Sequence, residues 1–172
     1  MSRESVRNTL VAAGAVMALA ASAGAPSAAG LRATAAPVSD LRVERSDPAA
    51  APPGGTTTVH ASVSNGGPDR TASGFTVLVV LPPGVEAEGP FFPASCQVFP
   101  AAEPAGGEQV RCDFPAGLPP QRSATALVPL RLGPHVPAPG TLTGGRVQVT
   151  GPDDPDPSDN RRPFEIPVSA VS

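Results

Sequence analysis

The side chains best suited to chemistry in this chain are acidic and lie close together in sequence, from Asp153 to Asn160 (DDPDPSDN). The carboxylates of Asp153, Asp154, Asp156 and Asp159, with the Asn160 amide, can offer oxygens to a hard cation such as Ca2+, which takes about six to eight of them. The competing reading is a Pro-stiffened turn in which Asp and Asn satisfy their own backbone. The absence of EF-hand spacing favours that turn. The expectation is therefore no cofactor, with Ca2+ as the one candidate.

The next reactive pair is Cys96 and Cys112, the only cysteines in the chain. In an exported protein, two cysteines on neighbouring predicted strands favour a disulfide over buried thiols or a link between chains. Their spacing, without further Cys or paired His, supplies too few ligands for a metal centre.

Catalysis has little else to draw on. His60 falls on the polar side of a predicted strand and His135 lies in a Pro-rich loop. Glu86 and Glu88 share a face, but a carboxylate pair does nothing without a cleft. No nucleophile elbow, Ser-x-x-Lys pair or His-Glu-x-x-His helix occurs, so no catalytic residues are assigned and no enzyme is expected.

Composition narrows the class. All 12 basic residues are arginine, Tyr and Trp are absent, and Phe occurs six times. A bias to Ala, Pro, Gly and Arg suggests a GC-rich bacterial genome. The net charge is −3 at pH 7, without a basic stripe, which argues against nucleic acid or an anionic membrane as partner. Without lysine, Lys–Asn isopeptide cross-links cannot form. Without Trp or Tyr, a sugar-binding face lacks its usual stacking platforms.

The N-terminus predicts export. Arg3 and Arg7 precede an uncharged, Ala-rich run from Thr9 to Ala25, and Ser27-Ala28-Ala29 supplies small residues for cleavage near Ala29. Residues 1–29 thus read as a signal peptide and 30–39 as a flexible linker, leaving a domain over 40–170 and no transmembrane segment in the mature chain. Loss of two arginines and one glutamate with the leader makes the product slightly more acidic.

The elements that must position these groups are strands. Thr56–Asn65 alternates, with Val59, Ala61 and Val63 expected inward and Thr58, His60, Ser62 and Ser64 outward. Phe75–Leu81 is apolar on both faces, as suits a central strand. Leu41 and Val43 mark a short first strand, and Asp47–Gly55 reads as a turn. Glu86–Phe99 reads as a loop ending in a short strand around Cys96–Phe99. Val110, Cys112 and Phe114 share a face, as do Ala124, Ala126, Val128, Leu130 and Leu132. Pro129 then predicts an edge or a bulge in that strand. Val147 and Val149 point inward in the next, and Phe164, Ile166 and Val168 close the sheet. Pro167, facing out, marks an edge. The 24 Pro and 18 Gly fall between these runs, so the composition reads as turns, not disorder. The result is an all-β, antiparallel sandwich of seven to eight strands.

Several of these turns occur in a known order. Asp40-Leu41-x-Val43, Pro53-Gly54-Gly55 and Val63-Ser64-Asn65-Gly66-Gly67-Pro68 are followed by Leu81-Pro82-Pro83-Gly84-Val85, the Cys96 and Cys112 pair, Gly140-Thr141-Leu142-Thr143 and Pro152 to Asn160. In this the chain resembles the conserved-repeat domain of unknown function (family eleven) of bacterial cell-surface and secreted proteins. Only one copy is present, and its second strand lacks the aromatic or Ile-rich residues usual there. The resemblance spans about Asp40 to Val168. It implies an immunoglobulin-like fold, a structural or binding role, and no catalytic residues.

The sequence thus predicts a secreted, monomeric, non-enzymatic sandwich that binds a protein or cell-envelope component through strand edges or loops. A Ca2+-dependent or carbohydrate-binding module is the first alternative. An enzyme inhibitor is the second, with Glu86–Pro93 or Asp113–Gln121 as the projecting loop. Leu78 and Val80, on the second apolar face of their strand, are either covered by a loop or form the patch a partner uses.

Overall fold

The computed structural model describes residues 38–45, 47–102 and 106–170. The expected signal peptide and nearly all of the linker lie outside these residues. Among the described residues no helix is long and apolar enough to cross a membrane.

Among the described residues, nine strands form two antiparallel sheets. In chain order they are β1 Leu41–Val43, β2 Thr56–Asn65, β3 Phe75–Val80, β4 Val85–Ala87, β5 Gln97–Phe99, β6 Gln109–Phe114, β7 Ser123–Leu132, β8 Gly140–Thr150 and β9 Arg161–Val168. One sheet has the order β1-β2-β7-β4 and the other β5-β6-β3-β8-β9. The core lies between them, built from the inward residues that alternation predicts. Val59 and Ala61 of β2 meet Val128 and Ala126 of β7 in register, and these four, with Val63 and Leu130, are buried. On the opposing sheet, Val77 and Val79 sit between Cys112 and Val110 on one side and Val149 and Val147 on the other. Phe75 and Phe114, paired in that register, stack with centroids 5.1 Å apart.

Four expectations need correction. A ninth strand, β4, lies where a loop was expected. Its three residues sit between Pro82-Pro83-Gly84 and Gly89-Pro90, too short a run to show alternation. Ser64 was expected outward in solvent but is buried, because β1 and β7 flank it at Arg42 and Ser123. The Asp47–Gly55 turn is not free of pairing, for Ala51 bridges to Val168 in parallel.

Pro129 marks neither an edge nor a bulge. Its strand β7 is central, and its register with β2 runs unbroken from Ser123 to Arg131. The Pro129 carbonyl accepts from the Glu88 amide, so its missing N–H faces the β4 side. There β4 has ended at Ala87 and no ladder donor is needed. The chain rejoins β7 only at Phe92, which exchanges two hydrogen bonds with Leu127. Pro167, by contrast, lies on a true edge strand, β9.

Candidate docking face and acidic loop

The acidic loop does its visible work on backbone donors. Successive outward N–H groups along the free side of β1 are each taken up by it. Ser39 N–H donates to the Asp153 carbonyl (3.2 Å), Leu41 N–H to Asp154 Oδ2 (3.2 Å), and Val43 N–H to the Asp159 carbonyl (3.2 Å). The two-residue spacing is that of one edge of a strand. Asp153 also accepts from Ser73, at the backbone N–H (2.6 Å) and the hydroxyl (3.1 Å). Asp154 accepts further from Asn160 Nδ2 (2.8 Å) and the Asp156 amide (3.0 Å). The Ser158 amide donates to Asp156 (3.0 Å) and holds its carboxyl below the usual carboxylate range.

Asp159 is different. Its carboxyl is pushed upward by burial first and by the facing charge of Asp40 second. Its Oδ1 and the Oδ1 of Asn160 are buried without a hydrogen-bond partner. The five residues singled out as Ca2+ ligands therefore come together as a loop, but most of their oxygens already serve N–H and O–H donors. Among the described residues no group of three or more His, Cys, Asp or Glu side chains is arranged to hold a metal.

Cys96 and Cys112 form a disulfide. The β5–β6 register places them opposite each other, one step beyond the Gln97 and Arg111 pair. Cys112 is fully buried, and the bond fixes the short edge strand β5 to the sheet.

Asn65 was read as turn chemistry, yet it is a fully buried hub. Its Oδ1 accepts from the amides of Asp40 (3.1 Å) and Gly67 (3.0 Å). Its Nδ2 donates to the carbonyls of Asp69 (2.8 Å) and Leu118 (3.0 Å). Thr71 holds the same β6–β7 loop, its Oγ1 accepting from the amides of Gly117 and Leu118 at 3.0 Å each. The Asp113–Gln121 segment, one candidate inhibitory loop, is thus tied to the β2–β3 turn. Polar residues flanking a turn in sequence gave no sign of this reach.

The other candidate loop contains one of the exposed apolar side chains that sequence reading missed. Phe92 is 60% exposed, and Val98 and Phe99 of β5 are 41% exposed. Phe91 beside them packs on the core.

Sheet edges offer less than expected. The β1 edge is occupied by the acidic loop. On β9, the Pro167 carbonyl accepts from Ala51 on the free side, and Pro163, four residues earlier, presents that same side without a donor. Paired prolines of this kind blunt an edge against strand addition.

The outer face of the five-stranded sheet is open. On the central strand β3 it carries Thr76, Leu78 and Val80. Val80 is only 5% exposed, set between Gln109 and Arg146, and so is covered. Leu78 remains half-buried, between Arg111 on β6 and Gln148 on β8. Arg111 is neutralised by Asp113, 3.2 Å away. The Asp113 carboxyl is held low chiefly by the Thr76 hydroxyl, with Arg111 adding to the effect.

Neither the family models nor the curated proteins give a match to this chain. Solved structures do. The third cohesin of ScaC from Acetivibrio cellulolyticus, solved in complex with the ScaB dockerin, is 9% identical. That alignment covers 76% of this chain and 99% of that one, with a TM-score of 0.51. CaCohA2 from Clostridium acetobutylicum is 16% identical over 79% of this chain and 94% of that one, also at 0.51. At these identities the likeness is one of fold.

Proposed function

We propose that the chain is a secreted, non-enzymatic protein-binding module that acts at the cell envelope or outside the cell. Its docking surface is the outer face of the five-stranded sheet. The observation that carries this reading is Leu78, an apolar side chain at the middle of the central strand, left only partly buried on an open sheet face that also carries the exposed Phe99 of β5. Solvated faces of antiparallel sheets normally alternate to polar residues at such a position. Burying the part of Leu78 that is still exposed contributes at most about 1.5 kcal/mol to an interface.

Two further points support the reading. The two edges that strand addition would use first are occupied or blunted. A cohesin solved with its dockerin has the same fold, so this architecture is suited to holding a protein partner. The resemblance to the conserved-repeat domain (family eleven) belongs to the same proposal, as does export through the N-terminal leader.

The test is capture of a partner from the producer's envelope and culture fluid with the oxidised protein and its Leu78→Asp variant. The expected result is a protein recovered by the wild type and lost with Leu78→Asp, while Phe92→Ser still recovers it. Recovery by a Leu78→Asp variant that melts like the wild type sinks the proposed face. Loss with Phe92→Ser alone moves the site to the β4–β5 side.

A further inference from the structure

Beside Leu78, toward β9, the sheet's outer face carries two arginines that form no ion pair, with Glu165 of β9 two residues beyond Pro163 on the same face. Three ion pairs occur among the described residues, and they engage Arg45, Arg111 and Arg131. Arg146 and Arg161 are in none of them. Gln148 lies opposite both Leu78 and Arg161, and Arg146 lies opposite both Val80 and Pro163. Arg146 and Arg161 are therefore diagonal neighbours on the outer face, a relation that brings long side chains within common reach.

The two arginines line an open groove of about 620 Å³ with Gly144, Gly145, Ser158 and Pro163. No carboxylate lines it. In the acidic loop beside it, Asp153, Asp154 and Asp156 accept from backbone and side-chain donors other than these guanidinium groups. Arg146 Nε is buried and has no hydrogen-bond partner. A buried, unpaired N–H on a cation is costly to leave unmade, and an anion in the groove would satisfy it. The floor is main chain, because the β8–β9 register shifts between Leu142 and Gly145. Gly144 there has φ +95°, so no side chain stands over the arginines.

We infer that Arg146 and Arg161 form a carboxylate-binding subsite of the docking face, which takes an Asp or Glu side chain of an acidic protein segment. This inference rests on the proposed docking face. Charge complementarity and continuity with Leu78 select the occupant. Two guanidinium forks match carboxylate geometry, and an apolar contact one strand from Arg146 and two from Arg161 calls for a chain carrying both kinds of group. A free inorganic anion would use the arginines and ignore Leu78.

The test is an NMR titration of the isotope-labelled, full-length protein with a blocked Asp-Asp-Leu-Asp-Asp peptide at physiological salt, and separately with inorganic phosphate. Saturable shifts of the Arg146 and Arg161 Nε–H signals are expected with the peptide. Affinity should fall about fivefold in Arg161→Gln, the scale for a partly exposed charge pair. Arg45→Gln, whose partner is Asp47 on the β1 side, should bind as the wild type does. Unmoved arginine signals overturn the inference, as does undiminished binding by Arg161→Gln. Equal binding of phosphate also overturns it, since the groove is then a general anion site. Partner capture separates the two claims. If capture depends on Leu78 but not on Arg161, the face stands and the subsite falls. If the peptide needs Arg161 while capture ignores Leu78, the subsite stands and the face falls.

Discussion

The amide of Leu41 donates to Asp154 Oδ2 at 3.2 Å, joining residues 113 positions apart. This one bond links the first strand to the last loop. With its neighbours at Ser39 and Val43, it closes a strand edge that would otherwise be open to another chain. The acidic loop therefore reads as a clasp on β1.

Removing the clasp should be costly. Asp154→Ala leaves the N–H groups of Leu41 and Asp156 and the Asn160 amide without their acceptor. We expect a loss of about 2–3 kcal/mol in denaturant unfolding, the scale for bonds to a charged acceptor. Hydrogen exchange at Leu41 should accelerate while exchange at Val77 in the core stays protected. Unchanged exchange at Leu41 would show that the bond is incidental.

Asn65→Ala should cost more than its small volume change suggests. Four hydrogen bonds end on that buried side chain, from Asp40 just before the first strand, its own turn and the β6–β7 loop. A loss of about 3 kcal/mol is expected, in the range for breaking a buried network. Asn65→Asp should also destabilise, because the donors to Asp69 and Leu118 disappear. Urea midpoints of both variants against the wild type decide the matter.

Reduction of Cys96–Cys112, or their joint replacement by Ala, releases a 16-residue separation in the unfolded chain. The expected loss is about 3 kcal/mol, or roughly 10 °C in Tm. The far-ultraviolet signature of strands should persist, since eight strands do not depend on the bond. A Tm that ignores reductant would show that the bond does not form in solution.

Asp159 supplies a pH dependence. Its folded-state carboxyl lies above the unfolded one, because burial and Asp40 disfavour the charged form. The ionised group thus costs stability at neutral pH, and the cost fades as pH falls through its folded value. Asp159→Asn should melt higher than the wild type at pH 7, and the gap should narrow in acid. A gap that widens in acid falsifies this account.

Calcium tests whether the same loop holds a cation. With Asp153 and Asp154 committed to N–H and O–H donors, thermal midpoints in millimolar Ca2+ and in chelator should coincide. A Ca2+-induced rise removed by Asp159→Asn would instead assign the two unpartnered oxygens of Asp159 and Asn160 to a cation.

Strand identity was written in the residues themselves. Val59, Ala61 and Val63 alternate with polar neighbours, and Val147 and Val149 do the same, because a pleated strand exposes every second side chain to one face. The cysteines were legible as a pair because two residues on adjacent strands of a chain expected to be exported have few other fates. Pairing partners were not legible in the same way. Pro129 looked like an edge signal, yet only the early end of β4 explains how a central strand tolerates it. Asp153 to Asn160 looked like a ligand set, since sequence shows oxygens but not the donors 80 and 113 residues away that claim them. Asn65 looked like turn chemistry, and Leu78 was indistinguishable from Val80 until the neighbours of each were known. Periodicity is a local property and survives in one dimension. The satisfaction of a hydrogen bond, or the exposure of a side chain, depends on groups brought together only when both sheets close.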